Sequence, residues 1–308
     1  MSVTIAMRRS RRLLIVIGVV AATLVSTHPV AWGTAPSEQY SPTVVAVQAR
    51  ETTNKTLVKR FFHAVNRGDL TAAGRALHVD LVQHKPGLAN GREALLRHQA
   101  ALRAKHPELR YDIKRLFAEG NLVVVHGNLV RERGDAGIAV MNVFRLDDGR
   151  IAEQWEVSQE VPAASAIGND MFSTLSAPQV SRPLPLSTDA DSKLAAGGLF
   201  AEVINEPDAA LRRQGIDRYI GDNTYYQHFP GVPNGSAALV EFMDAVYAAQ
   251  PDYRADVKFV VAEGDLVLVY AHLKNLFADP EVLSADLFRV RDGRLLEHWV
   301  ALETLPAG

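Results

Sequence analysis

One feature constrains the fold of this chain more than any other: most of it is present twice. The segment Leu81–Gln159 aligns without a gap to Tyr225–Glu303 at a constant offset of 144, and 29 of the 79 aligned pairs are identical. Coincidence does not hold register over that length, so the chain is a tandem duplication of one folding unit. The two copies also serve as an internal comparison. Features kept by both belong to the fold or to a site, and features lost by one mark where they have diverged.

The 308 residues suit two domains of about 150 residues each. A hydrophobic content of 47% is enough for two real cores, and 22% charged residues is ordinary for a water-soluble protein. A net charge of −2 offers no basic footprint for nucleic acid. With no cysteine, the chain has no disulfide, thiolate metal site or thiol nucleophile.

The first 35 residues read as an export signal and not as part of the fold. Arg8, Arg9, Arg11 and Arg12 precede the apolar run Leu13–Val25, and small residues follow with a cleavage site near Ala31-Trp32-Gly33. The run is shorter than the ~20 apolar residues of a spanning helix. Ser10-Arg11-Arg12-Leu13-Leu14 loosely resembles a twin-arginine signal. An exported chain, with no membrane association once the signal is removed, is the expectation.

Residues 36–52 read as a loose linker, being polar and interrupted by proline. Repeat one, 53–160, then opens with a helix over Thr53–Asn66, where Leu57, Phe61 and Val65 share a face. Helices are also predicted over Leu70–Leu77 and Gly91–Ala104, the latter closed by His106-Pro107. Strands are predicted over Arg110–Ala118, Leu122–Arg131, Ile138–Arg145 and Arg150–Gln159, with turn signals at Glu119-Gly120-Asn121 and Asp147-Asp148-Gly149. Repeat two, 192–308, follows the same order. Its helices fall at Lys193–Asn205 and Ala237–Ala249, and its strands at Arg254–Ala262, Leu266–Asn275, Val282–Arg289 and Arg294–Leu302. Residues 161–191 between the repeats are rich in Pro, Ser and Ala and read as a linker, with local order at Asn169–Phe172. Helices followed by antiparallel strands make an α+β fold.

Alternation along the strands puts His126 and Asn128 on one face, Val140, Asn142 and Phe144 on one face, and Gln154 and Glu156 on one face. Grouping these three sets gives a single wall of hydrogen-bonding side chains. In repeat two the corresponding sets are Tyr270 and His272, Asp286 and Phe288, and His298 and Val300. Two readings stay open: a solvated outer face, or a pocket wall with a few polar groups among apolar ones. The motif Gln-His-x-Pro-Gly-x-x-Asn-Gly at Gln83–Gly91 and Gln227–Gly235 places His84 and His228 on a fixed loop. Trp155 and Trp299 read as packing residues, and Glu153 and Glu297 as ion-pair partners of an arginine.

The order Gln-His, then Glu-Gly-Asp/Asn-Leu-Val-x-Val, then Phe-Arg-x-x-Asp-Gly-Arg-x-x-Glu-x-Trp resembles the SnoaL-like polyketide-cyclase group of the NTF2-like superfamily. Both copies resemble it, over roughly 53–160 and 192–304. The resemblance implies two tandem cone-shaped domains, each a curved antiparallel sheet packed on N-terminal helices. It implies cofactor-free intramolecular aldol chemistry on a small hydrophobic or polycarbonyl ligand, with a carboxylate as acid and base. It also implies dimers, here either a homodimer or an intramolecular pairing of the two domains.

Neither copy matches the group's pattern fully. Where the group carries His-Trp-Asp, repeat one has Gln154-Trp155-Glu156 and repeat two has His298-Trp299-Val300. Asn142 replaces an Asp that repeat two keeps as Asp286. An aldol closure needs a base beside an acidic C–H and donors for the enolate oxygen. In repeat one, Glu156 is the expected base, His126, Asn142 and Gln154 the expected donors, and His84 the cap. In repeat two, Asp286 pairs with His298, aided by His272 and His228. A non-catalytic ligand-binding module is the alternative. His228, His272, Asp286 and His298 also include the ligand types of a two-His, one-carboxylate centre. They lack its local spacing, so neither a metal nor a cofactor is expected.

Overall fold

The computed structural model describes residues 42–163, 165, 167–176, 188–221 and 224–306. The export-signal reading, the start of the first linker and residues 177–187 of the second lie outside the described residues.

The first domain runs α1 (Pro42–Asn66), α2 (Leu70–Arg75), β1 (Leu77–Gln83), α3 (Arg92–Lys105), β2 (Arg110–Glu119), β3 (Leu122–Val130), β4 (Ile138–Asp147) and β5 (Arg150–Glu160). The second runs α4 (Asp189–Leu199), a π-helical turn (Phe200–Ile204), α5 (Ala209–Tyr219), β6 (Tyr226–Gln227), α6 (Ser236–Ala249), β7 (Arg254–Glu263), β8 (Leu266–Leu276), β9 (Asp279–Arg291) and β10 (Arg294–Thr304). Each domain is a five-stranded sheet, ordered β1-β5-β4-β3-β2 and β6-β10-β9-β8-β7, with its helices on one face.

The structure departs from the sequence reading in three places. Helix α1 begins at Pro42, so most of the segment read as a linker is helical. The short strands β1 and β6 were missed; they pair parallel to β5 and β10, a contact distant in sequence that leaves little local signal. Helix α5 was missed as well, although Asp208 caps it by accepting from the amides of Ala210 and Leu211. Its close approach to α4 depends on Gly198, where a Cβ would sit 2.1 Å from the Tyr219 ring.

The same side-chain clamp ties helix to sheet in both domains. Asn66 donates to the carbonyl of Tyr111 (2.8 Å) and accepts from its amide (2.7 Å). Asn205 does the same at Ala255, at 2.9 and 2.7 Å. Each clamp satisfies both backbone groups of one residue where its strand begins.

The two sheets meet through their outer faces, which face away from the helices. Phe117, Val124, Met141, Val143 and Val157 of the first pack against Val261, Leu268, Leu287, Trp299 and Ala301 of the second. Burial of large apolar side chains there stabilises the pair by about 1.5–3 kcal/mol each. The rim contacts are reciprocal. Glu263 accepts from the amide of Ala118 (2.6 Å) and pairs with Lys55, while Glu119 accepts from the amide of Ala262 (3.0 Å) and pairs with Lys193. Gln159 accepts from the amide of Leu302 (2.9 Å), and Glu303 from that of Ser158 (2.8 Å). Equivalent residues exchanging equivalent bonds define an approximate twofold relation between the domains.

Candidate functional site

Register decides which residues meet. Directly opposed residues of an antiparallel pair point to the same face. Val125 opposes Asn142, and Asn142 opposes Glu156. Asn142, Gln154 and Glu156 therefore line the helix-facing interior together with Val125. His126 opposes Met141 and lies on the other face. Repeat two behaves alike: Val269 opposes Asp286 and Asp286 opposes Val300, while Tyr270 and His272 point outward. The single polar wall expected from the sequence is thus split. Alternation was right within each strand, but the phase of β3 against β4, and of β8 against β9, is set by the connection between them.

The interior of the first domain holds a connected polar network, in which the buried Gln83 Oε1 and Asn142 Nδ2 have no hydrogen-bond partner. Lys85, from the Pro-Gly loop, donates to Glu156 (2.5 Å) and to the Ser158 hydroxyl (3.1 Å). Gln83 donates to Gln154 (3.0 Å), which donates to Asn142 (2.7 Å) and to Glu156 (3.3 Å). Burial disfavours the Lys85 ammonium, but the neighbouring Glu156 carboxylate outweighs it and holds the pKa above the ordinary value. Tyr111, bonded to Gln99, is pushed up by burial and by Glu156. The expected base is therefore already committed to an ion pair that the sequence reading did not include.

The second domain differs at the same positions. Val300 replaces Glu156, Phe229 replaces Lys85, and Leu302 replaces Ser158. What remains polar is compact. His298 bonds through Nε2 to Asp286 Oδ1 (3.0 Å), and Ser284 donates to the other carboxylate oxygen. The His298 ring stacks on Phe288 at 4.4 Å, and its buried Nδ1 has no hydrogen-bond partner. Tyr225 and Tyr253 lie close enough to feel the Asp286 charge; burial first, and that charge second, push both phenols up. Asp286, His298, Ser284 and Tyr253 border a cavity of about 70 Å³ whose other walls include Phe229, Val232, Phe242, Met243 and Leu276. Ser284, Tyr225 and Tyr253 were not singled out from the sequence; Ser284 could have been, since it shares the face of Asp286. A wider open groove of about 880 Å³ between α1 and α2 contains none of the site residues expected from the sequence.

The remaining expected site residues lie on the outer faces. His84 bonds to Glu153 (2.7 Å) and stacks on Trp155 (4.7 Å), while Arg145 holds the other oxygen of Glu153 (2.7 Å). His84 therefore does not cap the interior. His228 makes the same contacts with Glu297 (2.8 Å) and Trp299 (5.2 Å), fully buried. Here the strap 169–176, from the segment between the domains, covers the pair. Glu297 accepts from the amides of Leu175 (2.6 Å) and Ser176 (3.3 Å) and from the Ser176 hydroxyl (2.5 Å), and His228 bonds the carbonyl of Asp170 (2.5 Å). Burial disfavours the Glu297 charge, but these donors, His228 first, hold its pKa below the usual carboxylate value.

Arg115 of the first domain completes this clasp. It lies 3.6 Å over the Trp299 ring and donates to the carbonyls of Phe172 (3.0 Å) and Ser173 (2.8 Å). His126 meets Arg115 at 3.1 Å through Nδ1, which must accept from a guanidinium. Burial first, then the charges of Arg115 and His228, hold its pKa well below the ordinary histidine value. His126 is a neutral strut between the domains and not an oxyanion donor. His272 pairs with Glu281 at the surface. The four candidate metal ligands are thus split between opposite faces of the second sheet. Among the described residues, no group of three or more His, Asp or Glu is placed to hold a metal ion.

A family model described as a SnoaL-like domain matches residues 58–154 and, separately, 199–298. Among solved structures, the chain is similar to a candidate polyketide cyclase from Sinorhizobium meliloti, at 20% identity over 33% of this chain and 93% of that one, with a TM-score of 0.30. It is similar to an NTF2-like protein of unknown function from Cytophaga hutchinsonii, at 22% identity over 34% and 89%, with a TM-score of 0.30. IdmH of Streptomyces antibioticus, also a candidate polyketide cyclase, matches at 23% identity over 34% and 91%, with a TM-score of 0.30. No curated protein sequence matches the chain significantly.

Proposed function

The chain belongs to the SnoaL-like domain family in both halves, and from that premise we propose that its second domain is the working site of a cofactor-independent aldol-type cyclase or related lyase. One observation carries this reading: an Asp–His–Ser set lies at the edge of a mostly apolar cavity. Asp286 accepts the Nε2 proton of His298 and so fixes the tautomer with a lone pair on Nδ1. That nitrogen takes a proton from a carbon flanked by carbonyls. Gln227, which lines the cavity, supplies an amide donor to the enolate oxygen. The enolate carbon then attacks a second carbonyl of the same molecule, a C–C bond forms, and His298 returns its proton to the new alkoxide. No electrons leave the substrate, so the step needs no redox partner.

The test is turnover of β-polycarbonyl substrates by the purified chain, followed by loss of ring closure. Loss of activity in Asp286→Asn and His298→Gln supports the assignment. Full activity in both variants sinks it.

Ligand holding without chemistry is the second reading. It is favoured by the Asp286 carboxylate, both of whose oxygens are already engaged, and by the narrowness of the cavity. A metabolite retained in native mass spectra, with no turnover of any substrate, would select it.

Two further expectations belong to the proposal. The outer faces that could pair two copies are used within one chain, so the protein is a monomer, which light scattering at two concentrations tests. Residues 1–35 direct it out of the cytoplasm, which fractionation of the producing cells tests.

A further inference from the structure

The geometry points to the β8–β9 hairpin as an aromatic gate on the second-domain cavity, with Phe277 as its leaf; this rests on the reading of that cavity as the working site.

Three aromatic rings run from the cavity to the surface. Phe229 and Phe242 both line the cavity and meet edge to face at 6.2 Å. Phe277 meets the far side of Phe242 at 5.8 Å and is 39% exposed. Its neighbour Leu276 is itself a cavity wall, and pairs with Asp279 to close a two-residue turn at Phe277-Ala278. The outermost ring of the row therefore sits on the tightest turn bordering the cavity.

That turn is strained. Phe277 has φ +51°, a conformation that favours glycine and disfavours a bulky side chain, and nearby Asn275 has φ +59°, which asparagine tolerates. In the first domain the corresponding strands are joined by the longer 131–137 connection, whose positive φ values fall on Gly134 and Gly137. The second copy has thus shortened the connection to two residues and placed a positive φ on a phenylalanine. Strain of this kind persists only where neighbouring contacts hold it, and it collects at ligand clamps and switches. Two contacts do the holding here. Gln250, at the end of α6, donates to the carbonyl of Phe277 (2.8 Å), and Asn275 donates to Asp252 (3.0 Å).

A cavity of about 70 Å³ is far below the ~300 Å³ and more of a typical ligand pocket. A substrate large enough to cyclise needs the walls to part. The hairpin is the wall with a strained turn, an exposed ring and, among the described residues, two side-chain latches. Swinging it outward lifts Phe277 from Phe242, carries Leu276 with it and joins the cavity to solvent. The hairpin then sets both the entry rate and the largest ligand accepted.

The test is stopped-flow binding of the neutral apolar fluorophore N-phenyl-1-naphthylamine to the full chain. Phe277→Ala removes the leaf and Gln250→Ala removes a latch, and each should raise the association rate by about tenfold, as expected when opening limits entry. Phe277→Tyr keeps the ring and should stay within about twofold. Val300→Trp fills the cavity and should abolish the signal. Thermal unfolding of each variant confirms that it is folded, and Gln250→Ala, a partly exposed polar change, carries the test if Phe277→Ala is unstable. Unchanged rates in both gate variants, with the signal lost in Val300→Trp, would overturn the gate and leave the cavity reading intact. Binding that survives Val300→Trp, or no binding by any of the proteins, would overturn both.

Discussion

The two interiors share one backbone plan and have opposite chemistry. At four matched positions the first domain carries Lys85, Asn142, Gln154 and Glu156, and the second carries Phe229, Asp286, His298 and Val300. In the first, a lysine neutralises the carboxylate and a chain of amides links Gln83, Gln154 and Asn142 to it. In the second, the carboxylate has moved to the neighbouring strand, its partner is an imidazole with an unengaged nitrogen, and mostly apolar groups form the rest of the wall. A matched Lys–Glu pair suits a static interior. A carboxylate–imidazole pair beside a cavity can move a proton. On the proposed function, one copy serves as scaffold and the other carries the site.

The largest expected effect tests that division directly. Asp286→Asn should lower kcat/KM for ring closure by about 10² to 10³, the usual worth of an acid–base partner, while Glu156→Gln should change it by less than about threefold. The reverse ranking in steady-state kinetics would move the site into the first domain.

The two outer-face clasps offer a second contrast. Glu297→Ala leaves His228 and the amides of Leu175 and Ser176 without their acceptor inside the interface, and should cost about 3–5 kcal/mol in urea unfolding. Glu153→Ala removes a half-open pair and should cost about 1 kcal/mol or less. Equal losses would show that the strap does not distinguish the domains.

A smaller effect sharpens the reading of the first interior. Lys85→Phe and Glu156→Val should each destabilise by about 1–3 kcal/mol, because each strands the other's charge. The double variant reproduces the second-domain pair and should recover most of that loss. Additive losses would mean that the ion pair is not the reason for either cost.

The smallest effect is on pH dependence. The folded pKa of His126 is depressed, so the unfolded chain takes up a proton near pH 6.5 that the native chain refuses. Stability is complete above pH 6.5 and falls as pH drops toward the folded value, with a slope of at most about 1.4 kcal/mol per pH unit for one histidine. His98 is shifted the same way, first by burial, and adds to the same window. His126→Gln should flatten part of the slope in thermal melts from pH 7 to 5. An unchanged slope would mean that His126 is not held neutral in the interface.

Much of this was legible before any coordinates. The duplication, the α+β order and eight of the strands could be read from periodicity and turn residues, because those signals are local. Asp286 and His298 could be named together from the sequence, but their shared face could not be derived from it. A β-bulge between Leu295 and Glu297 shifts the register set by the two-residue Asp292-Gly293 turn; without it Asp286 would oppose Trp299. The partners of Glu156 and His126 were not legible. Lys85 reaches Glu156 only because β1 runs parallel to a strand some 70 positions later. The phase of β3 against β4 depends on how the 131–137 connection bends, and a slip of one residue reverses every side chain.

The sequence alone determined that one unit occurs twice, what its strands are made of, and which titratable groups each copy retains, because composition and period are properties of short stretches. The tertiary structure decided which of those groups share an enclosed space. That depended on strand register, on a parallel edge strand, and on two sheets covering each other's outer faces. Those are contacts between distant segments, and side-chain chemistry by itself does not specify how distant segments align.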